Sequence, residues 1–514
     1  MANSVRLFCF LFVVQLVTTF FPEARASEEH GGGYPLSESD LVRGLPGQPD
    51  VKFRHYAGYI RLREQDERAL FYWFFEAQGG VSEKPLLLWL NGARLSRPSG
   101  GLSLSLSYIC CMPTCNVPSP DLSEAVAGPG CSSIAYGALQ ELGPFLVRNN
   151  HSKLVLNDYA WNKVANLLFL ESPVGVGFSY TNRSSDLSKL GDRVTAQDSY
   201  AFLLKWFEKY PSFKSHDFYI AGESYAGHYV PQLAEVIYDR NVHAPKGSYI
   251  NFKGIMIGNA VLNDETDQEG MVDFAWSHAV ISDQLYRRVK RQCDFSSENQ
   301  TTGCNNALST MLQAYGDIDI YSIYSPVCTA TLTKSSLHSS PRLVASPRAF
   351  SKHELWHRLP SGVDPCTEEY TTDYLRRKDV QEALHANITN LKYPYKPCSE
   401  VIAKWNDAPD SVLPVLRKLM KGGLRVWVFS GDTDGRVPVT STRYSLNKMQ
   451  LKEKAAWRAW FHNHQVAGWT VEYEGLTFAT LRGAGHQAPV YVPQQALSLL
   501  THFLSASTLP SSRF

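Results

Sequence analysis

The chain has 514 residues, with 50 Lys and Arg against 49 Asp and Glu and a formal net charge of +1. That length holds one large elaborated domain or two to three smaller ones. A near-neutral balance without a basic stripe excludes an electrostatic nucleic-acid binder, and 11 Trp, 26 Tyr and 25 Phe exclude a disordered chain.

Arg6, the apolar run Leu7 to Phe21, Pro22 and an A-x-A-like end at Ala26 predict a secretory signal peptide over residues 1–26. The run is short for a membrane span, and no second stretch of about 18 apolar residues follows, so no membrane association is expected after its removal. Ten cysteines, of which Cys9 leaves with the signal, fit an oxidising compartment. Sequons at Asn150, Asn182, Asn299 and Asn387 are compatible with glycosylation on the same route.

Next come two strand-like runs, 54–62 and 68–77, around a charged turn, which predict a hairpin. Short apolar runs follow at 86–90, 166–173, 217–222, 252–259, 424–432 and 476–486, with helical patterns between several of them, such as 196–210 and 229–240. Strands alternating with helices predict a central, mostly parallel sheet with helices on both faces. The rhythm breaks over 261–404, which reads as a helix-rich cap inserted into the core, with an exposed linker at about 329–362 rich in Ser, Pro and basic residues. The core then spans 27–260 and 405–514.

Three strand-to-helix turns carry candidate chemistry. In "FYIAGESYAGHY" an apolar strand runs into Gly222-Glu223-Ser224-Tyr225-Ala226-Gly227 and then a helix. A serine on such a turn presents its hydroxyl at the tip of a sheet, above a helix N-terminus. Ala226 stands where the strict G-x-S-x-G pattern has glycine. "VWVFSGDTDG" places Asp432 and Asp434 just past another strand, and "LRGAGHQAP" places His486 in a glycine loop past a third. Each could be an ordinary turn residue. Together they give the order Ser, Asp, His used for nucleophilic catalysis by α/β-hydrolases. No HExxH and no paired CxxC is present, so no metal and no cofactor is expected.

The stretches "WLNG" with "GPGCSS", "ESPVGVGFSY", "GESYAGHYVPQLA", "FSGDTDGRVPVTSTRYS" and "GAGHQAPVYVPQQAL" resemble the serine carboxypeptidase family, especially its plant members, over roughly 50 to 505. The resemblance implies an α/β-hydrolase fold with a helical cap and an extracellular or vacuolar destination. It implies a triad of Ser224, Asp434 and His486, the choice of Asp434 over Asp432 resting on family spacing. It also implies an oxyanion hole from the N–H groups of Tyr225 and a loop glycine, here Gly128. Asn91, Glu141 and Glu223 would bind the substrate's terminal carboxylate, two carboxyls sharing a proton so that activity favours acid. The implied disulfides are Cys131–Cys398, Cys293–Cys304 and Cys328–Cys366. Substrates would be peptides or proteins with a free C-terminus; many family members form dimers, so a homodimer is a candidate, with no stretch here marking its interface. Related plant proteins transfer acyl groups from glucose esters with the same triad and usually resemble "GDSYSG"; the "GESYAG" here tilts toward peptide hydrolysis.

One segment departs from that pattern. Ala93 to Ala127, 35 residues with seven serines and four prolines, separates Trp89-Leu90-Asn91-Gly92 from Gly128-Pro129-Gly130-Cys131. Removing it restores the family loop, which points to a retained intron or gene-model error. The form written here is then expected to be catalytically impaired if the loop donor is displaced.

Overall fold

The computed structural model describes residues 38–62, 67–92, 130–148, 153–245, 247–297, 299–328, 363–402 and 404–513. The expected signal peptide, the linker 329–362, the segment 93–127, Gly128 and Asn150 lie outside them.

Among the described residues eleven strands form one sheet, in the order β1 (His55–Arg61), β2 (Arg68–Phe75), β6 (Asn166–Leu170), β3 (Leu86–Asn91), β8 (Phe218–Glu223), β9 (Phe252–Gly258), β10 (Arg425–Gly431), β13 (Leu476–Leu481), β12 (Gln465–Tyr473), β11 (Glu453–His462). The eleventh strand, β7 (Tyr180–Thr181), pairs with β2, and a small separate hairpin joins β4 (Phe145–Val147) to β5 (Leu154–Leu156). The six strands from β6 to β13 in that order are mutually parallel. Strands β3, β6 and β8 are buried at every residue, as runs such as "LLLWLN" require when helices cover both faces. Because these strands are parallel, their carboxyl ends share one edge. The chain leaves β3 for β6 on one side and returns to β8 on the other, so a crevice opens between the ends of β3 and β8.

The strand runs read from the sequence all appear; the hairpin β11–β12 at the far edge does not figure among them. Its turn, Asn463-His464, holds both residues at positive φ (45° and 63°), the geometry of a tight two-residue hairpin.

The main helices in chain order are α1 (Ile134–Glu141), α2 (Asp192–Lys209), α3 (Ala226–Asn241), α4 (Asp264–Ser277), α5 (Asp283–Gln292), α6 (Thr302–Gln313), α7 (Thr367–Arg376), α8 (Leu413–Lys421), α9 (Val439–Lys448) and α10 (Pro493–Ser505). The stretch expected as a single cap divides in two. Helices α4 to α6 gather around their own apolar cluster of Val272, Phe274, Val289, Ala307 and Met311. Asn263, Ser282 and Thr301 cap them, each accepting a backbone N–H from the first turn. Tyr374, Leu375 and Tyr395, by contrast, join the main core beside Trp73, Trp89 and Trp161. Cys293–Cys304 ties α5 to α6, and Cys328–Cys366 joins the ends of the linker.

The chain re-enters the described region at Gly130 under several restraints. Cys131 is bonded to Cys398, Ser132 N–H donates to Pro397 O at 2.7 Å and Ser399 N–H to Gly130 O at 2.9 Å. Ser132 Oγ donates to the buried carboxyl of Glu171, which also accepts Phe178 N–H at 2.6 Å and the Tyr395 hydroxyl at 3.2 Å. Burial pushes Glu171 up to about 7 despite these donors. Burial does the same to Asp267, which caps the turn before α4 through Leu262 and Asn263 N–H and is also pushed up to about 7.

Both carboxyls hold a proton more tightly folded than unfolded, so their contribution is complete below the usual value near 4.5 for Glu171 and 3.8 for Asp267 and is lost as pH rises through about 7. Calorimetry across that window should show the thermal midpoint falling with pH, and falling less steeply in Glu171→Gln. A midpoint that climbs steadily from pH 5 to pH 8 contradicts this account.

Candidate active site

Ser224 follows β8 directly and has φ 64°, a left-handed conformation that a residue with a Cβ adopts at a cost of about 1–2 kcal/mol. The surroundings hold it there. Ser224 N–H donates to Gly258 O at 3.1 Å, and its carbonyl accepts Gly227 N–H at 2.9 Å and Val261 N–H at 3.1 Å. The close approach depends on glycine at two points. A Cβ on Gly222 would stand 2.3 Å from Leu90 O, and one on Gly92 would stand 2.1 Å from Tyr225 N. The turn therefore wedges between β3 and β9 with no room for side chains, leaving the serine at the strand tip. The N–H of Tyr225 lies at the start of α3, where backbone donors have no intrahelical acceptor.

His486, in the loop after β13, donates through Nδ1 to Asp434 Oδ2 at 2.6 Å. Asp434 is fully buried and also accepts Asn259 Nδ2 at 2.9 Å and Arg436 N–H at 2.8 Å. Four donors' worth of carboxylate capacity is thus largely filled, and the imidazole is fixed with Nδ1 as donor, which leaves Nε2 as the acceptor nitrogen. That nitrogen is buried without a hydrogen-bond partner among the described residues. The sequence left two aspartates open. Asp432 instead accepts Gly483 N–H at 2.7 Å and shapes the neighbouring turn.

Asn91, the last residue of β3, donates from Nδ2 to Glu141 Oε1 at 2.9 Å and to Glu223 Oε1 at 3.0 Å. Its own oxygen accepts Trp89 Nε1–H at 2.7 Å, which fixes the orientation of the amide. Glu141 arrives on α1, whose bonds Ala138 N–H to Ser133 O and Leu142 N–H to Gly137 O span five residues, a wide helical turn of a kind frequent at functional sites. The remaining oxygens, Oε2 of each glutamate, are buried with no donor directed at them from the described residues. Burial pushes Glu141 up to about 7 against the hydrogen bonds from Gln487 and Asn91. Glu223 is raised well above the ordinary carboxyl range by burial and then by the charge of Glu141.

Asn91, Gly92, Tyr136, Glu223, Ser224, Tyr321, His486 and Gln487 line one cleft. The residues singled out as Ser224, Tyr225, Asp434, His486, Asn91, Glu141 and Glu223 thus converge on a single sheet edge. Asn182 and Asn299 are exposed, while Asn387 is half-buried with its amide engaged by Gln381 and Leu391. Three participants escaped the sequence reading. Gln487 donates to Glu141 Oε1 at 3.1 Å, and its place next to His486 was a usable signal. Asn259, at φ 40° just past β9, steadies Asp434 and accepts Gly431 N–H at 2.9 Å. Tyr321 accepts His486 N–H through its carbonyl at 2.7 Å and carries no signal of that in the sequence.

No group of three or more His, Cys, Asp or Glu among the described residues is arranged to hold a metal. No helix among them is long and apolar enough to cross a membrane.

A family model described as serine carboxypeptidase matches residues 46–93 and 127–506, so its gap falls inside the segment 93–127. Serine carboxypeptidase-like 35 of Arabidopsis thaliana is 55% identical over 516 residues, covering 100% of this chain and 99% of that protein. Serine carboxypeptidase 24 of the same plant is 46% identical over 508 residues, covering 98% and 99%. Among solved structures, KEX1(delta)p, a prohormone-processing carboxypeptidase from Saccharomyces cerevisiae, aligns with a TM-score of 0.70 at 20% identity, covering 92% of this chain and 97% of that one. That likeness shows the α/β-hydrolase fold. By its matched length and its relatives, the chain belongs to the serine carboxypeptidase family.

Proposed function

We propose that the chain removes C-terminal residues from peptides by a Ser224–His486–Asp434 triad and works best in mild acid. The observation that carries this reading is the 2.6 Å His486–Asp434 bond, with His486 lining the cleft that also holds Ser224 and Glu223. His486 Nε2 takes the Ser224 proton as Oγ attacks the scissile carbonyl, and returns it to the leaving amine; Asp434 orients the ring and stabilises its charged form. Water then attacks the acyl-enzyme by the same route. The oxyanion would be met by Tyr225 N–H and by a second donor, for which Gly128 is the candidate.

A carboxylate beside a nucleophile opposes the developing oxyanion unless it is neutral. A neutral Glu223 is what burial and Glu141 favour, and a protonated acid donates a hydrogen bond to the terminal carboxylate of the substrate. Asn91 holds both glutamates in register for that contact. Passage through the secretory pathway agrees with the three disulfides; an extracellular or vacuolar destination belongs to the same proposal.

Fluorophosphonate should label Ser224, and Ser224→Ala should lower the release of free C-terminal amino acids by about 10⁴-fold or more. Transfer of an acyl group from a glucose ester, with no amino-acid release, would replace hydrolysis by acyl transfer as the reading. As pH rises through about 7 Glu141 ionises while Glu223, raised well above the ordinary carboxyl range, keeps its proton longer; the new charge on Glu141 opposes the substrate's terminal carboxylate, so kcat/KM on peptides should fall there, and Glu223→Gln should alter that limb. A profile level up to pH 8 would sink the proposed acid preference.

The interrupted loop gives a second test. Ser133 Oγ accepts Asn91 N–H at 3.0 Å and Gly92 N–H reaches Glu223 O at 3.0 Å, so the flanks of the segment meet at the site. Deleting 93–127 should therefore preserve folding. It should raise kcat by up to about 10²- to 10³-fold, the usual worth of one oxyanion donor. Equal kcat in the two forms would mean that the donor is in place despite the insertion.

A further inference from the structure

Asp192, the first residue of α2, is 2% exposed and takes no part in the proposed chemistry. Four side chains donate to it. The Tyr225 hydroxyl and Trp405 Nε1 reach Oδ1 at 3.0 and 2.9 Å, while His228 Nδ1 and Gln232 Nε2 reach Oδ2 at 2.9 and 2.7 Å. Three of the four, Tyr225, His228 and Gln232, belong to the residue after the nucleophile and the first two turns of α3. The Tyr225 ring also stacks on the His228 ring, centroids 4.8 Å apart and planes at 20°. Trp405 comes from the segment that returns to the core.

This is an unusual concentration of donors on one buried carboxylate, and its position matters more than its number. The elbow holds Ser224 in a left-handed conformation, which persists only where the surroundings over-determine it. On its strand side the restraints are backbone bonds and close-packed glycines. On its helix side the first residue is Tyr225, whose N–H is the proposed oxyanion donor and whose hydroxyl is held by Asp192. Clamping that side chain at its far end, and the next helical turn at His228 and Gln232, restricts rotation of the Tyr225 peptide.

We infer that Asp192 is a positioning residue of the oxyanion site: by gripping Tyr225, His228 and Gln232 it fixes the direction of the Tyr225 N–H. The inference rests on the proposed triad chemistry, since it assigns the target of that N–H. It predicts that loosening the grip lowers transition-state stabilisation without altering the binding of the substrate's terminal carboxylate, which Asn91 and the glutamates contact from the other side of the serine.

The experiment compares Asp192→Asn, Tyr225→Phe and the double variant with the unaltered chain. Turnover is counted per site titrated with fluorophosphonate, so that unfolded protein drops out. Asp192→Asn leaves two of its donors facing an amide nitrogen; kcat should fall about 10-fold, less than the 10²- to 10³-fold for outright loss of a donor, with KM changed less than twofold. Tyr225→Phe removes a single hydroxyl and should fold even if the aspartate variant does not; its kcat should fall severalfold, and the double variant should fall no further than Asp192→Asn alone. An unchanged kcat per titrated site in Tyr225→Phe, or a fall that appears in KM instead, overturns the inference. A merely structural role would lower the thermal midpoint and leave kcat per titrated site intact. Failure of the unaltered chain to react with fluorophosphonate would refute the triad reading itself, a distinct outcome.

Discussion

A residue with a side chain sits at φ 64° where β8 becomes α3, and the arrangement of the molecule around it is what makes that conformation tolerable. Left to itself the chain would relax Ser224 into an ordinary turn. Here β3 and β9 flank it, glycine at 92 and 222 lets their backbones come within contact distance, and the first turn of α3 is locked from the other side by a buried carboxylate. The parallel sheet supplies the rest. Its strands end on one edge, so a histidine after β13 and an aspartate after β10 arrive beside a serine after β8, although the chain separates them widely. Fold and chemistry are connected through this geometry: the strain is local, while the restraints are drawn from the whole sheet.

The same burial that creates the site also underlies the proposed acid preference. Glu141, Glu171, Asp267 and Glu223 are all raised, with desolvation as the leading cause in each. In Glu171 and Asp267 the shift bears on stability; in the proposed function a neutral acid in the glutamate pair would supply a donor where a carboxylate would repel both substrate and oxyanion. One physical term thus pushes stability and the proposed activity in one direction along the pH axis. A protein that worked best in alkali would have to open these groups to water or place cations beside them, and no Lys or Arg figures among the main influences on Glu141 or Glu223.

Much of this was legible in the sequence because local signals and spatial outcome coincide. Continuous apolar runs of five or six residues mark strands buried on both faces, and the three candidate residues each follow such a run. What was not legible depended on rotation and distance. Asp432 and Asp434 follow the same strand two positions apart, and only the direction of the turn decides which meets His486. Glu141 lies on a helix far from the elbow in the chain, and its place came through family resemblance rather than periodicity. The edge hairpin β11–β12 escaped notice because its residues alternate weakly, with Trp457 exposed and charged residues between; its strongest mark, the Asn463-His464 turn, lacks the glycine that usually announces such a bend. The cap also proved divisible, since helix-rich composition does not say which helices pack with one another.

The extra segment after Gly92 lies between two flanks that are each held in place by their own surroundings. Its near flank is held by strand pairing that continues into Gly92, and its far flank by a disulfide, two backbone bonds and the Ser132–Glu171 contact. Restraints of that kind act on each end independently, so neither flank relies on the family's short connection for its position. The entropy of closing a longer loop grows only slowly with length. Insertion at this point therefore threatens one proposed backbone donor more than it threatens the flanks, and for that reason a chain can keep every side chain of the proposed triad and still differ in turnover. Holding a scaffold and aiming a single N–H are separate demands, and which of the two a change near Ser224 touches decides whether it is silent.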